Sequence, residues 1–187
     1  MSTSTKDLIL DSAQALAQSR GFNAFSYADI AEELDIRKAS VHYHFPSKHD
    51  LETELLARYR KSFVAEMGTI ESSVSGSTRQ LQSYIQLYSN TLKSNKICLA
   101  GMMASDVGAL PEHLSHSLSA FFKEQTDWLA KVMSAGKSNG ELNFIGSAKS
   151  EANVFLSALQ GGLLIANAMG DEAVFKRLKT SLLAQLT

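Results

Sequence analysis

Apolar residues return every three or four positions along nearly the whole 187-residue chain, and only Pro46 and Pro111 interrupt the register. Proline lacks an N–H donor and clashes with the preceding turn, so such scarcity leaves long stretches free to be helical. Alternating β-branched runs, the mark of half-buried strands, are scarce. The fold class that follows is all-α.

Ile9, Ala13, Leu16 and Ala17 form the first stripe, and Gly21 supplies its stop. Ser26 stands three residues ahead of Asp29, a capping-box-like start with Asp in place of Glu or Gln. Ile30, Ala31 and Leu34 line one face of the short helix that follows, and Val41 and Phe45 lie one turn apart on the next. Pro46 ends that helix, and Ser47 caps a long one running through Leu51, Leu55, Leu56 and Tyr59 towards Met67. The polar stretch ESSVSGSTRQ (71–80) marks a break. Five further helices are expected over about 78–94, 99–109, 111–137, 147–169 and 171–186. Gly140 and Gly146 bracket ELNFI, the one loop with an extended look.

A chain of this length buries roughly 70% of its unfolded surface, so neither disulfide nor metal is required for folding. Its single cysteine, Cys98, has no internal partner. The opening MSTSTKDLIL reaches Asp7 before any long apolar run, and no stretch approaches the ~18 uninterrupted apolar residues of a membrane span. The expectation is a soluble cytoplasmic protein without a membrane partner.

Function concentrates in SYADIAEELDIRKASVHYHF (26–45). Two short amphipathic helices joined by a three- to four-residue turn make a helix-turn-helix, whose second helix can enter a DNA major groove. At 100° per residue, an inward Val41 and Phe45 turn Ala39 and Tyr43 outward, flanked by Ser40 and His42. Arg37 and Lys38 sit at the amino-terminal end that probes the groove. Residues 37–49 carry Arg37, Lys38, Lys48 and the histidines His42, His44 and His49, with no acidic residue. The first 61 residues nevertheless hold eight Lys and Arg against nine Asp and Glu. Counterion release scales with phosphates neutralised, so this balance fits a small footprint per subunit and paired subunits. The same pattern also fits two packing helices with a solvated face, or an adaptor whose 37–49 segment binds an acidic protein.

The segment from Ile9 to Leu51 resembles the DNA-binding domain of the TetR/AcrR family of repressors. The resemblance is carried by Ile-Leu-x-x-Ala-x-x-Leu at 9–16, Gly21-Phe22, Ser26, Asp29-Ile30-Ala31, Lys38, Val41, Tyr43-His44-Phe45, Ser47-Lys48 and Leu51. It implies DNA contacts at Ser26, Arg37, Lys38, Ala39, Ser40, His42, Tyr43, His44 and Lys48. Lys48, at a helix amino terminus, would meet phosphate, as would Tyr43, while Lys38, Ser40 and His42 suit base edges. Arg37 stands where many relatives have a small capping residue, and Ala39 where many have glycine.

The implied organisation is a three-helix DNA-binding domain over 1–50, a linking helix over 47–70, and a ligand-binding and dimerisation domain over 51–187. Ala158, Gly162 and Ala166 recur at four-residue spacing with Gly161 beside them. Such a stripe allows close helix approach, either across a homodimer or within one subunit. Relatives dimerise through their last two helices, which favours the homodimer. Relatives also bind a small-molecule effector in the body, and Tyr84, Tyr88, Cys98, Met102, Phe121, Trp128 and Phe155 are its candidate lining, with plain core as the other reading. Cys98, near Lys93 and Lys96, is either a buried inert thiol or an electrophile and oxidant sensor.

No cofactor or metal is expected. AGKSNG (135–140) has Lys131 where a phosphate loop needs its first glycine. His42 and His44 diverge on their helix, and His113 and His116 lack a third ligand nearby. Nucleophile-elbow and HExxH motifs are missing, so an enzyme is not expected. The reading is a sequence-specific DNA-binding repressor that a small-molecule inducer releases from a palindromic operator, with the adaptor and a Cys98-based redox repressor as alternatives.

Overall fold

The computed structural model describes residues 4–187, and among them there are helices and no strand. Helix α1 (Thr5–Arg20) starts at Ser4, whose Oγ accepts the Asp7 N–H at 3.1 Å. It ends where Gly21 turns to φ 92° and donates to Ala17 O at 3.0 Å. A side chain at Gly21 would adopt a rare backbone conformation and place Cβ 3.2 Å from Met102 Cε.

A 3₁₀ turn at Phe22–Ala24 precedes α2 (Tyr27–Glu33) and α3 (Lys38–His44). After these come α4 (Lys48–Ser73), α5 (Ser77–Lys93), α6 (Leu99–Ser105), α7 (Glu112–Ser138), α8 (Ala148–Met169) and α9 (Glu172–Ala184).

The helix expected over 99–109 breaks after Ser105, and a 3₁₀ turn follows at Val107–Ala109. The Ser105 hydroxyl donates to Met102 O at 2.7 Å. Ser105, Asp106 and Gly108 together favour such local competition over continued helix. ELNFI keeps the alternation of a strand, with Leu142 and Phe144 buried and Ile145 exposed. Its amides find no strand partner: Leu142 N–H donates to Gly136 O at 3.0 Å and Asn143 N–H to Leu186 O at 2.7 Å. Gly136 of AGKSNG lies in the last turns of α7, where a Cβ would come 2.7 Å from Ser77 Cβ.

The chain packs as two units. The first takes the residues up to Lys61 together with Leu99–Ser119. Here α1 packs on α2 and α6, α2 packs on α3, and Ile9, Ile30, Val41, Phe45, Leu51 and Leu55 are sealed from solvent. Removing Phe45 to alanine would cost about 3–5 kcal/mol and release α3 from its support. The second takes Ser62–Cys98 and Ala120–Thr187, where α5, α8 and α9 pack against one another around Leu81, Phe155, Leu159 and Leu163. Among the described residues, α8 alone is long and apolar enough to cross a membrane. Its inner face, from Ala152 and Phe155 to Leu163 and Ala166, is core of the second unit.

Candidate nucleic-acid interface

The interface begins with two local caps. The Ser26 N–H and Oγ both donate to Asp29 Oδ2, at 2.7 and 2.6 Å, and Ser26 Oγ accepts the Ala28 N–H. These hydrogen bonds hold the Asp29 carboxyl below the usual carboxylate range. The pattern repeats at Ser47 and Asp50, which opens α4 and lowers Asp50 in the same way. Both serines are exposed.

Between α2 and α3 the chain turns through Asp35, at φ 51°, and Ile36 N–H reaches back to Ala31 O at 2.9 Å. This is the left-handed helix terminus that glycine usually fills and that Asp tolerates. Arg37 then occupies the N-cap of α3 with no side-chain bond to the helix, because its guanidinium cannot accept an amide N–H. Val41 and Phe45 are sealed beneath α3. Arg37, Lys38, Ala39, His42 and Tyr43 are exposed, and Ser40 and His44 are half-buried. Tyr43 is 82% exposed, an unusual position for an aromatic ring in a chain with an ordinary core. Its ring meets His44 edge-on at 5.2 Å, while His42 meets the buried Tyr27 at 4.7 Å. The outward strip therefore carries two cations, two imidazoles, a phenol and a small residue side by side.

Lys48 is half-buried in the first turn of α4. Its ammonium donates to Phe22 O, and to Phe25 O at 2.9 Å, and lies 4.7 Å from the centre of the Phe25 ring. The ammonium is thus turned toward the loop between α1 and α2. It supplies a donor to one carbonyl inside the Phe22–Ala24 turn and to one just after it.

The family model for bacterial regulatory proteins of the tetR family matches residues 9–55. A crystal structure of a TetR-family transcriptional regulator from Agrobacterium tumefaciens is 35% identical, with 97% of each chain covered and a TM-score of 0.93. The chain belongs to the TetR family of transcriptional regulators. A second TetR regulator, from Legionella pneumophila, is 34% identical over 100% of this chain and 99% of that one, with a TM-score of 0.89. The probable regulator YttP of Bacillus subtilis (strain 168) is 32% identical over 82 residues. This chain spans 40% of the length of that curated relative.

In this TetR-family chain the body residues separate into groups. Tyr84, Tyr88 and Phe121 are buried and gather around Phe63, at centroid distances of 6.0, 6.3 and 5.5 Å. Trp128 stacks on Tyr84 at 5.5 Å, and Phe155 is buried on α8. Phe63 was missed, although it lies one turn from both Tyr59 and Met67. Gln125 was missed as well. Its Oε1 accepts the Tyr84 hydroxyl at 2.6 Å and the Tyr88 hydroxyl at 3.2 Å. Gln160 Nε2 then donates to Tyr88 Oη at 3.0 Å and to Cys98 Sγ at 3.4 Å. A glutamine in the core register of an apolar helix is the signal that sequence offered. Burial pushes the Tyr84 phenol far up, so it stays a donor.

Met102 stands apart from the other candidates. It belongs to the first unit, with Cε against Gly21, whereas the other six candidates belong to the second. A cleft of about 70 Å³ in the first unit, between Phe22, His49, Glu52 and Asp106, is lined by none of the seven. It is also far below the roughly 300–1,000 Å³ of ligand pockets.

The small-residue stripe on α8 divides too. A Cβ on Gly162 would come 2.0 Å from Leu178 Cδ2, and Ala166 is 1% exposed, so these two serve packing within the subunit. Gly161 has open space beside it and Ala158 is half-buried. The outward face instead shows Val154, Leu164, Ile165 and Met169, all more than half exposed.

Proposed function

We propose that this TetR-family protein is a sequence-specific repressor that binds a palindromic operator as a homodimer in the cytoplasm and is released by a small-molecule effector. The reading rests on one observation: the outward strip of α3 stands free above a sealed Val41 and Phe45. Lys38, Ser40 and His42 read base edges, and Arg37, Tyr43 and His44 contact phosphate, with Ala39 permitting close approach and Ser26 lying at the margin. Residues 1–50 form the DNA-binding domain, 47–70 the linking helix and 51–187 the body.

The outward face of α8 forms the homodimer contact, with Gly161 and Ala158 at its small-residue centre and Val154, Leu164, Ile165 and Met169 as the apolar area. An unpaired apolar face of this kind on a globular chain is a feature of interaction sites. Pairing two heads gives half-sites one helical turn, or a multiple of it, apart. The effector is read as binding near Tyr84, Tyr88, Phe121, Trp128 and Phe155, where Gln125, Gln160 and Cys98 supply polar groups inside an apolar shell. An effector that prefers the spacing of heads unsuited to DNA shifts the population from operator-bound to free protein. Helix α4 carries the change, being continuous from Lys48 to Ser73.

Selection of bound sequences from random duplex DNA tests this. The expected result is a palindromic motif whose binding falls with salt. Recovery of no motif, with binding no tighter than to bulk DNA, overturns the reading.

A further inference from the structure

Tyr27 opens α2, yet it touches the elements on either side of the recognition strip. The residue is 7% exposed and its hydroxyl donates to the Ser47 carbonyl oxygen at 2.6 Å. That same carbonyl accepts the Leu51 N–H that opens α4. Burial, with Asp50 and Glu52 nearby, pushes the phenol up to about 12, so the donor is retained. The ring is thus held at its backbone end by α2 and at its hydroxyl end by the α3–α4 junction. Its face or edge is presented to one neighbour on α3, the His42 imidazole, with the ring planes at 63°.

His42 is exposed, and an exposed imidazole divides its time among several staggered rotamers. A fixed aromatic neighbour at 4.7 Å favours the rotamer that makes the edge contact. A base edge rewards a histidine only in the orientation that brings a ring nitrogen to the purine or pyrimidine atom. Holding that orientation before binding lowers the ordering cost of the contact.

We propose that Tyr27 is a specificity-determining positioning residue: its anchored ring presets the His42 imidazole for a base-edge contact. The inference rests on the reading of α3 as the groove-facing helix. Tyr27 itself is placed behind the strip and need not touch DNA.

The test uses full-length protein and sequence selection from random duplex DNA, comparing wild type with Tyr27→Leu, Tyr27→Phe, His42→Ala and the Tyr27→Leu/His42→Ala pair. His42→Ala should weaken preference at one or two base pairs by about five- to tenfold. Tyr27→Leu should weaken preference at those same base pairs, and the pair of changes should lose no more than His42→Ala alone. Tyr27→Phe keeps the ring but loses its bond to Ser47 O, so its preference should fall between those of wild type and Tyr27→Leu. In the free protein, NMR couplings should show one dominant His42 rotamer in wild type and averaging in Tyr27→Leu, read on protein whose amide spectrum shows the native fold.

Additive losses, losses at other base pairs, or an unchanged His42 rotamer population in Tyr27→Leu would overturn the proposal. If His42→Ala leaves the selected motif intact, positioning fails while operator binding stands. If wild type selects no motif, the operator reading fails and takes this inference with it.

Discussion

The Lys48 ammonium donates to the carbonyl oxygen of Phe25 at 2.9 Å and sits 4.7 Å from the centre of that residue's ring. With its second bond to Phe22 O, it ties the first turn of α4 to the loop between α1 and α2. Lys48→Ala removes these charge-assisted bonds from half-buried carbonyls, and about 1–3 kcal/mol of stability should be lost. Denaturant unfolding measures that loss. The salt slope of DNA binding should stay at its wild-type value. A slope lower by about one would return Lys48 to the phosphate contacts.

Arg37 caps α3 without the oxygen that would accept an amide N–H. Arg37→Ser supplies one and should raise stability by about 0.5–2 kcal/mol. It also removes a cation from the strip, so DNA affinity should fall and the salt slope should drop by about one. Thermal melting and titration at several salt concentrations read the two effects separately.

The adjacent glycines of α8 should respond in opposite ways. Gly161 has nothing within 4 Å of a would-be Cβ, whereas Gly162 abuts Leu178. Gly162→Leu should destabilise the subunit by about 1–3 kcal/mol through overpacking. Gly161→Leu should leave subunit unfolding close to wild type and shift sedimentation from dimer to monomer. A Gly161→Leu protein that remains dimeric would remove α8's outward face from the homodimer contact.

Asp127 is held at about 2 by hydrogen bonds from Lys123 and Lys149. A carboxyl depressed in the folded state contributes stability above its unfolded value and loses it as pH falls through the folded one. The contribution is therefore whole at pH 5 and above, and it disappears between about pH 4 and about pH 2. Asp127→Asn should flatten the acid side of the melting curve in that window. High salt should shrink the difference, because the groups are exposed. Equal acid slopes in both proteins would assign the acid loss to other carboxylates.

Cys98 is buried and accepts from Gln160 Nε2. Native protein should react with a thiol reagent far more slowly than denatured protein, and blocking should track opening of the second unit. Rapid modification that releases DNA, abolished in Cys98→Ser, would favour the redox reading.

Local chemistry was legible wherever cause and effect lie within a turn or two. The Ser26–Asp29 cap, the stop at Gly21 and the inward turn of Val41 and Phe45 follow from spacing alone. The outward face of α3 follows from the same arithmetic. The Phe22–Ala24 turn and the break after Ser105 carried only weak signals, because Ser, Asp and Gly are tolerated in both outcomes.

What sequence by itself determined was helical class, the helix-turn-helix and the side chains on its outer strip, since periodicity and capping act between near neighbours. Tertiary structure decided which of two adjacent glycines meets α9, where the Lys48 ammonium points, and that Gln125 and Gln160 join Tyr84, Tyr88 and Cys98. Those outcomes depend on how helices rotate and dock. A rotation of 100° separates neighbouring residues on a helix, so the docking angle chooses between them.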